Sequence, residues 1–476
     1  MNLPLFLPGM AAVILPLFCV FIGVAVYLLK CKFKNTVLRK CLVIFFLSLA
    51  GLVLAYTLSY AIASLIGRSQ INDQLAEMRK QGIPSDENDI IPPMPKNASD
   101  NGAVLYNQAF ALMDGDADIS KLYDLDYNYD LANFSDKNRE TAQRVLDSKN
   151  MDKIFSLFRQ GTEKNCVLFH PCQGIDTQFP GLVNQRALFR LISLKSSSCG
   201  LNGNPEAGYS LICDGFKTIK QLESDPFLIS QLVNIALTTI NIEAMNSLIS
   251  RYSISSQTAG QLISGMGKIN FNIAMAHAMG GELLLNKDFL EKTITGKSKI
   301  PDYLNDNSLR VFIEKYGPWP FLYQDYACYL RMTFKIRMLF SQPYWLAKRQ
   351  IEKLENESKN APSGYLFSNI TSVSFSALMG KTARIESDID AAKLTLALHI
   401  YKNQNGAFPD KLEQLAPGIL KEIPVDPISG KPFEYQKADG KFTLSSVWLK
   451  EKAEQDRKRQ EQNRREQEKR NRNIQK

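Results

Sequence analysis

The chain has 476 residues, 45% of them hydrophobic and 22% charged, with a formal net charge of +9. These proportions exclude a disordered, collagen-like or disulfide-scaffold chain, and eight cysteines are ordinary usage at this length. At roughly 150 residues per domain, two or three domains fit.

The positive charge is localised. Residues 1–29 and 41–66 contain no Asp, Glu, Lys or Arg. The loop between them, 30–40, carries Lys30, Lys32, Lys34, Arg39 and Lys40 and no acid. The tail 450–476 holds 11 basic and 6 acidic residues. What lies between, 67–449, is nearly neutral. A nucleic-acid-binding domain would carry a basic stripe. None is evident, and no nucleic acid is expected as a partner.

A membrane span needs about 20 mostly apolar residues. Residues 9–29 and 41–66 each qualify, and Pro16 is expected to kink the first. The alternative, a cleaved signal peptide and one anchor, would show a charged n-region and a small-residue cleavage site. The sequence MNLPLFLP shows neither. The expected unit is a membrane hairpin over 1–66, partnered by the lipid bilayer. Positive loops stay cytoplasmic. Loop 30–40 is therefore expected in the cytoplasm and both termini outside, which places the chain in the cell (inner) membrane.

Cys19, Cys31 and Cys41 belong to the hairpin. Cys166 and Cys172 bracket NCVLFHPC, and in an oxidising compartment they could pair. Cys199 and Cys213 form a second candidate pair, leaving Cys328 odd. The alternative is five buried thiols packing as small hydrophobes.

Residues 71–81 read as a short helix stopped by Gly82. Residues 83–101 hold four prolines and read as an extended linker, so 67–101 connects membrane and body. The body, 102–377, reads as α-helical. A helix is expected near 102–113, then an acidic Tyr-rich stretch, then a helix capped by Ser135 and running to about 148. From 181 to 358 apolar residues recur at helical spacing. Pro205 marks one helix start, and Asp225-Pro226 separates two more. Later helices are expected near 256–286, 306–316, 320–340 and 343–358. Such a run of helices suggests an array of helical hairpins or an irregular bundle. The pair over 187–226 resembles a single tetratricopeptide unit, without a sustained 34-residue period.

Residues 378–448 differ. A long helix ends at Asn405-Gly406. A short helix or turn over Pro409–Leu415 follows. Phe433–Gln436 and Phe442–Val447 alternate around Ala438-Asp439-Gly440, a hairpin signal. The series Tyr401, Asn405, Gly406, Phe408, Pro409, Pro424, Asp426, Pro427, Gly430, Pro432 and Tyr435 resembles the globular end of major, G-type type II secretion pseudopilins. That resemblance implies a small α+β module. It departs from the family in lacking the prepilin start and the acidic calcium loop after the hairpin, so no metal is carried over. The whole layout resembles a set of uncharacterised bacterial envelope proteins with an anchor, a Pro-rich segment before LYNQAF, a DPFLISQLV helix and this ending. That likeness implies an architecture and no activity.

The tail, 449–476, has no apolar seam for a coiled coil. Opposite charges recur four residues apart, as in Glu454–Lys458 and Glu461–Arg465. A solvated helix or a disordered segment is expected, and contact with other envelope proteins or an anionic envelope polymer is the functional alternative.

Catalytic signatures are missing. No G-x-S-x-G, H-E-x-x-H or P-loop occurs. His277 and His399 sit on apolar helices, where core packing is expected. Cys166, His170 and Cys172 lack the usual zinc spacing and an obvious fourth ligand. Asp114, Asp116 and Asp118 begin at calcium-loop spacing, but Ile119 and Leu125 stand where Gly and Glu are needed. No catalytic residue, cofactor or metal is assigned. The expectation is a mainly α, non-enzymatic, membrane-anchored extracytoplasmic binding or scaffold protein. The alternatives are a component or relative of a type II secretion or type IV pilus-like system, and an extracytoplasmic hydrolase with a carboxylate site.

Overall fold

The structure, a computed structural model, describes residues 7–31, 36–82, 90–91, 95, 97–125, 130–169, 177–294, 322–359, 375–438, 440–458 and 461. It is mainly helical with one two-stranded sheet. The predicted helix near 306–316 lies outside the described residues.

Helices α1 (Leu7–Lys30) and α2 (Thr36–Lys80) form the N-terminal hairpin; α2 is long and apolar enough to cross a membrane, and Pro16–Lys30 of α1 is a shorter apolar stretch. Helix α1 runs through Pro16. Ala25, Leu28 and Val43 make the seam between them, with the Phe21 and Phe46 rings 6.2 Å apart. Most other apolar side chains between Leu52 and Ile66 on α2 are exposed. A later helix, Leu228–Arg251, is also long and apolar, but it is a core helix, mostly buried in the body.

Helix α2 corrects the separate helix expected over 71–81. Its 45 residues are continuous from the apolar segment to Lys80, because Arg68-Ser69-Gln70 offers no helix breaker. At 1.5 Å per residue it is about 68 Å long, more than twice the ~30 Å hydrocarbon core. Gly82, at φ +67°, ends it as expected. Its second half belongs to the body. Tyr60, Ala63, Gly67, Ile71 and Met78 are buried, facing a helix from the other end of the chain.

The body begins with α3 (Gly102–Asp114), capped by Asn101, whose side chain accepts from the Ala103 amide. The same side chain donates to the Leu168 carbonyl at 2.9 Å and accepts from the Leu168 amide at 3.0 Å. One residue therefore caps a helix and ties down a segment 67 positions away. Helix α4 (Asp136–Leu146) is capped by Ser135. Helix α5 (Met151–Thr162), missed in the sequence, buries Met151, Ile154, Phe155 and Phe158. Then come α6 (Leu182–Leu201), α7 (Pro205–Leu222) and α8 (Leu228–Arg251). The α6–α7 pair occupies the stretch likened to a tetratricopeptide unit. Gly203 (φ +79°) makes its turn, and Pro205 opens α7.

The single helix expected over 256–286 is two, α9 (Ser256–Gly267) and α10 (Phe271–Ile294). Glu223 and Glu386 accept from the amides of Asn270 and Phe271 at 2.6 and 2.7 Å. Two acids from distant elements thus occupy the positive end of α10. Helices α11 (Leu322–Leu339) and α12 (Tyr344–Lys359) follow. Ile90, within the stretch read as a linker, is buried against Gly280 of α10.

Helix α13 (Phe375–Asn405) is the spine. Ile385, Ile389, Ala392, Leu396 and Ile400 complete the main core of the body. Phe375, Leu378 and Met379 join the cluster around α11 and α12. Ala391, Leu394, Ala397 and Leu398 face the C-terminal segment with Phe408, Leu412, Leu415 and Phe433. The helix read as the stem of a separate module is shared between both sides of the 377/378 boundary.

Strands β1 (Glu434–Ala438) and β2 (Lys441–Ser445) pair antiparallel, Glu434 opposite Ser445 and Ala438 opposite Lys441. A last helix, 447–458, returns over α13. Trp448 donates its indole N–H to Asp388 at 3.0 Å, and Lys452 reaches the other oxygen at 3.0 Å.

Candidate functional site

The residues singled out for the pseudopilin resemblance fall in two groups, one around the end of α13 and the hairpin, the other, 424–432, beside Ser387 in the middle of α13. Asn405 closes the helix and Gly406 follows at φ +80°. Phe408 is buried, its ring 4.9 Å from Phe442 and 5.6 Å from His399. Lys402 lies over the Phe408 ring at 4.7 Å. Tyr401 packs against this cluster. The Tyr435 hydroxyl donates to the Pro409 carbonyl at 2.7 Å, fastening the hairpin to the loop after the helix.

Asp426 is buried and accepts from Ser387 of α13 and from Ser429, both at 2.8 Å. Its amide donates to Lys431, and its carbonyl accepts from Gly430. The run Asp426-Pro427-Ile428-Ser429-Gly430 is therefore a closed turn pinned to α13. Pro424 enters it, and Pro432 leaves it through a bridge to Val425. Gly430 has φ +69°, and a Cβ there would stand 2.7 Å from the Trp345 indole of α12. Gly430→Ala is expected to cost about 2 kcal/mol, from the left-handed backbone and the displaced indole together. A urea-unfolding midpoint unchanged from the parent would contradict this.

Cys166 is a free, half-buried thiol, and burial raises its pKa. Cys172 and His170 lie outside the described residues. Cys199 and Cys213 are free, on α6 and α7, which corrects their suggested pairing. Burial pushes the Cys213 thiol up to about 12. His277 and His399 are half-buried among helices, and burial lowers both below the usual imidazole value.

The acidic stretch is engaged internally. Asp116 accepts from Ser148 (2.6 Å), from Asn150 (2.8 Å) and from the Asp118 and Ile119 amides. Asp130 binds Arg251 at 2.6 Å and accepts from Ser197 and Ser247. Their hydrogen bonds hold both carboxyls below the usual range against the opposing cost of burial. Among the described residues no cluster of His, Cys, Asp and Glu is placed to hold a metal ion.

Three other acids sit among the helices, Asp225 buried and Glu282 and Glu386 half-buried. Asp225 accepts from the Phe227 amide at 3.2 Å and Glu282 from the Leu228 amide at 3.3 Å, both at the start of α8. Burial lifts Asp225 to about 7 and raises Glu282. Burial likewise lifts Glu386 to about 7, opposed by its bond from Phe271, with Asp390 and Glu223 adding to the rise. These groups receive backbone amides and serve the helix termini.

An open concavity lies elsewhere among the described residues. A cleft of about 450 Å³ lies between α5, α6 and the start of α7. Phe155, Ala207 and Leu211 supply apolar walls, and Arg159, Lys195 and Cys199 supply polar ones. Cys199 is raised by burial, and the charges that pull it back are the cations Lys195 and Arg159. Arg159 meets Asp214 only at 3.5 Å, while Lys217 holds Asp214 at 3.0 Å. Lys195 forms no ion pair or hydrogen bond with the described residues. The sequence reading did not find this cleft. Its one available signal was the strong helical period of residues 151–162.

Comparison with protein-family models, with curated proteins and with solved structures gives no match for this chain.

Proposed function

We propose that the chain is a membrane-anchored binding or scaffold protein whose helical body stands at the extracytoplasmic surface of the bilayer. The observation that carries this reading is the junction of α2 with α11. A Cβ on Gly67 would lie 2.6 Å from Tyr323 Cβ and 2.8 Å from the Gln324 amide nitrogen. The two helices touch backbone to backbone just beyond the apolar segment. The body is therefore clamped to the emerging helix rather than hung on a linker. The basic residues Lys30, Arg39 and Lys40 lie at the opposite end of the hairpin and favour the cytoplasmic side.

Two measurements test this. Gly67→Leu is expected to remove about 2 kcal/mol of docking, read as roughly thirtyfold faster tryptic cleavage at Arg68. For orientation, Asn202→Cys in the α6–α7 turn should react with an impermeant maleimide on intact cells, above the parent's background. Thr36→Cys should react only after permeabilisation. The reverse pattern would put the body in the cytoplasm and end this reading.

Kinship with type II secretion or pilus-like systems is the second reading. It draws support from the long helix joined to a hairpin through Tyr435 and Pro409. Recovery of secretion-system subunits after cross-linking in cells would favour it. A hydrolase is favoured less, because the acids Asp225, Glu282 and Glu386 each accept a backbone amide at a helix start.

A further inference from the structure

We propose that the cleft between α5, α6 and α7 binds a small alkyl carboxylate, its head group on Lys195 and its chain over Phe155 and Leu211. The proposal deepens the binding reading above and takes its biological setting from it.

Four observations converge. The volume, about 450 Å³, falls within the roughly 300–1,000 Å³ usual for small-ligand sites. The apolar walls are fixed, since Phe155 and Leu211 are themselves core residues, 7% and 4% exposed. Lys195 is half-buried and makes no ion pair or hydrogen bond with the described residues, so its ammonium is open to an anion from the cleft. The charges felt at Cys199, one turn along α6 from Lys195, come from Lys195 and Arg159. An acid, Asp152, also lines the cleft. It lies seven residues before Arg159 on α5, about 10 Å along the axis. The cleft therefore has a cationic end, an apolar middle and an acidic far rim. A single anion with a short chain matches that order. A dianion or a long chain would meet Asp152.

Cys199 supplies the readout. The full chain would be held in lipid nanodiscs and alkylated with N-ethylmaleimide, each cysteine being followed by mass spectrometry of its peptide. Octanoate is expected to slow alkylation of Cys199 at least fivefold and to leave Cys328 unchanged. Octanol, with the same chain and no charge, should protect little. Each added methylene should lower the half-protective concentration about three- to fourfold until the cleft is full. Lys195→Gln should raise it roughly tenfold. Ala207→Trp should abolish the octanoate dependence by filling the cleft. Thermal melts of both variants establish that they are folded.

Equal protection by octanol and octanoate would overturn the anion site and leave an apolar slot. No protection by any alkyl carboxylate below its micelle threshold would overturn the proposal outright, as would unchanged protection in Lys195→Gln. These outcomes are separable from the anchoring reading. A failed protection assay with external labelling of Asn202→Cys removes the ligand alone. Protection with cytoplasmic labelling keeps the ligand and moves the body.

Discussion

Gly281→Ala is expected to destabilise the body by 3 kcal/mol or more, on the order of the largest single-site effects. The carbonyl of Pro226 lies directly against Gly281, and a Cβ there would overlap it. The obstacle is backbone on both sides. Helix α10 would have to withdraw from the turn Asp225-Pro226-Phe227, which sets the start of α8. Phe227, 1% exposed and with its ring 5.1 Å from Phe179, would lose its packing. Gly260→Ala is the control, because a Cβ there meets nothing within 4 Å. It should be neutral or slightly stabilising. Equal melting temperatures for the two variants would refute this account of the α8–α10 contact.

The second large effect is a stability that falls as pH rises. Asp225 and Glu386 both sit at about 7 in the fold, far above ordinary carboxyl values. The folded state therefore binds their protons more tightly than the unfolded state does. Their contribution is complete below about pH 4 and drains away as pH climbs through about 7. For each group this amounts to at most roughly 3–4 kcal/mol. Asp116 and Asp130 act oppositely, since their lowered values give stability that is lost in acid, below their unfolded value. Maximum stability is expected between about pH 4 and 6. Asp225→Asn and Glu386→Gln keep an oxygen for the Phe227 and Phe271 amides. Each should shrink the stability difference between pH 5 and pH 8 by roughly 1–2 kcal/mol. Denaturant titrations at both values would measure it. A parent protein at least as stable at pH 8 as at pH 5 would sink the argument.

The elements that sequence alone revealed are those whose cause is local. Ser135 caps a helix through an amide three residues ahead, Asn405-Gly406 ends one, and Gly440, at φ +73°, precedes the second strand of a hairpin. Each is settled within a few residues. The N-terminal hairpin was legible for a related reason, since the absence of charge over 26 residues needs no partner to interpret. The misses have remote causes. Residues 256–286 divide because Glu386 caps the second helix from 115 positions away. The buried acids could not be foreseen, since burial is a property of what surrounds them. The cleft needs three helices to exist. Helix α5 is the exception, because its apolar period was open to reading and was overlooked.

The shared spine governs the order in which the chain can mature. Helix α13 begins at Phe375, yet it fills the central core laid down by residues 103–271. A ribosome making this protein finishes most of the body long before the residues that seal it. Until Ile385, Ile389, Ala392, Leu396 and Ile400 arrive, a greasy trough stays open along α8 and α9. Partly made chains of this kind are prone to stick to one another. Export would lengthen that interval, since the sealing segment crosses last. A chain cut at residue 374 should thus be recovered as aggregate or bound to a holding chaperone, while one cut after Lys458 should fold.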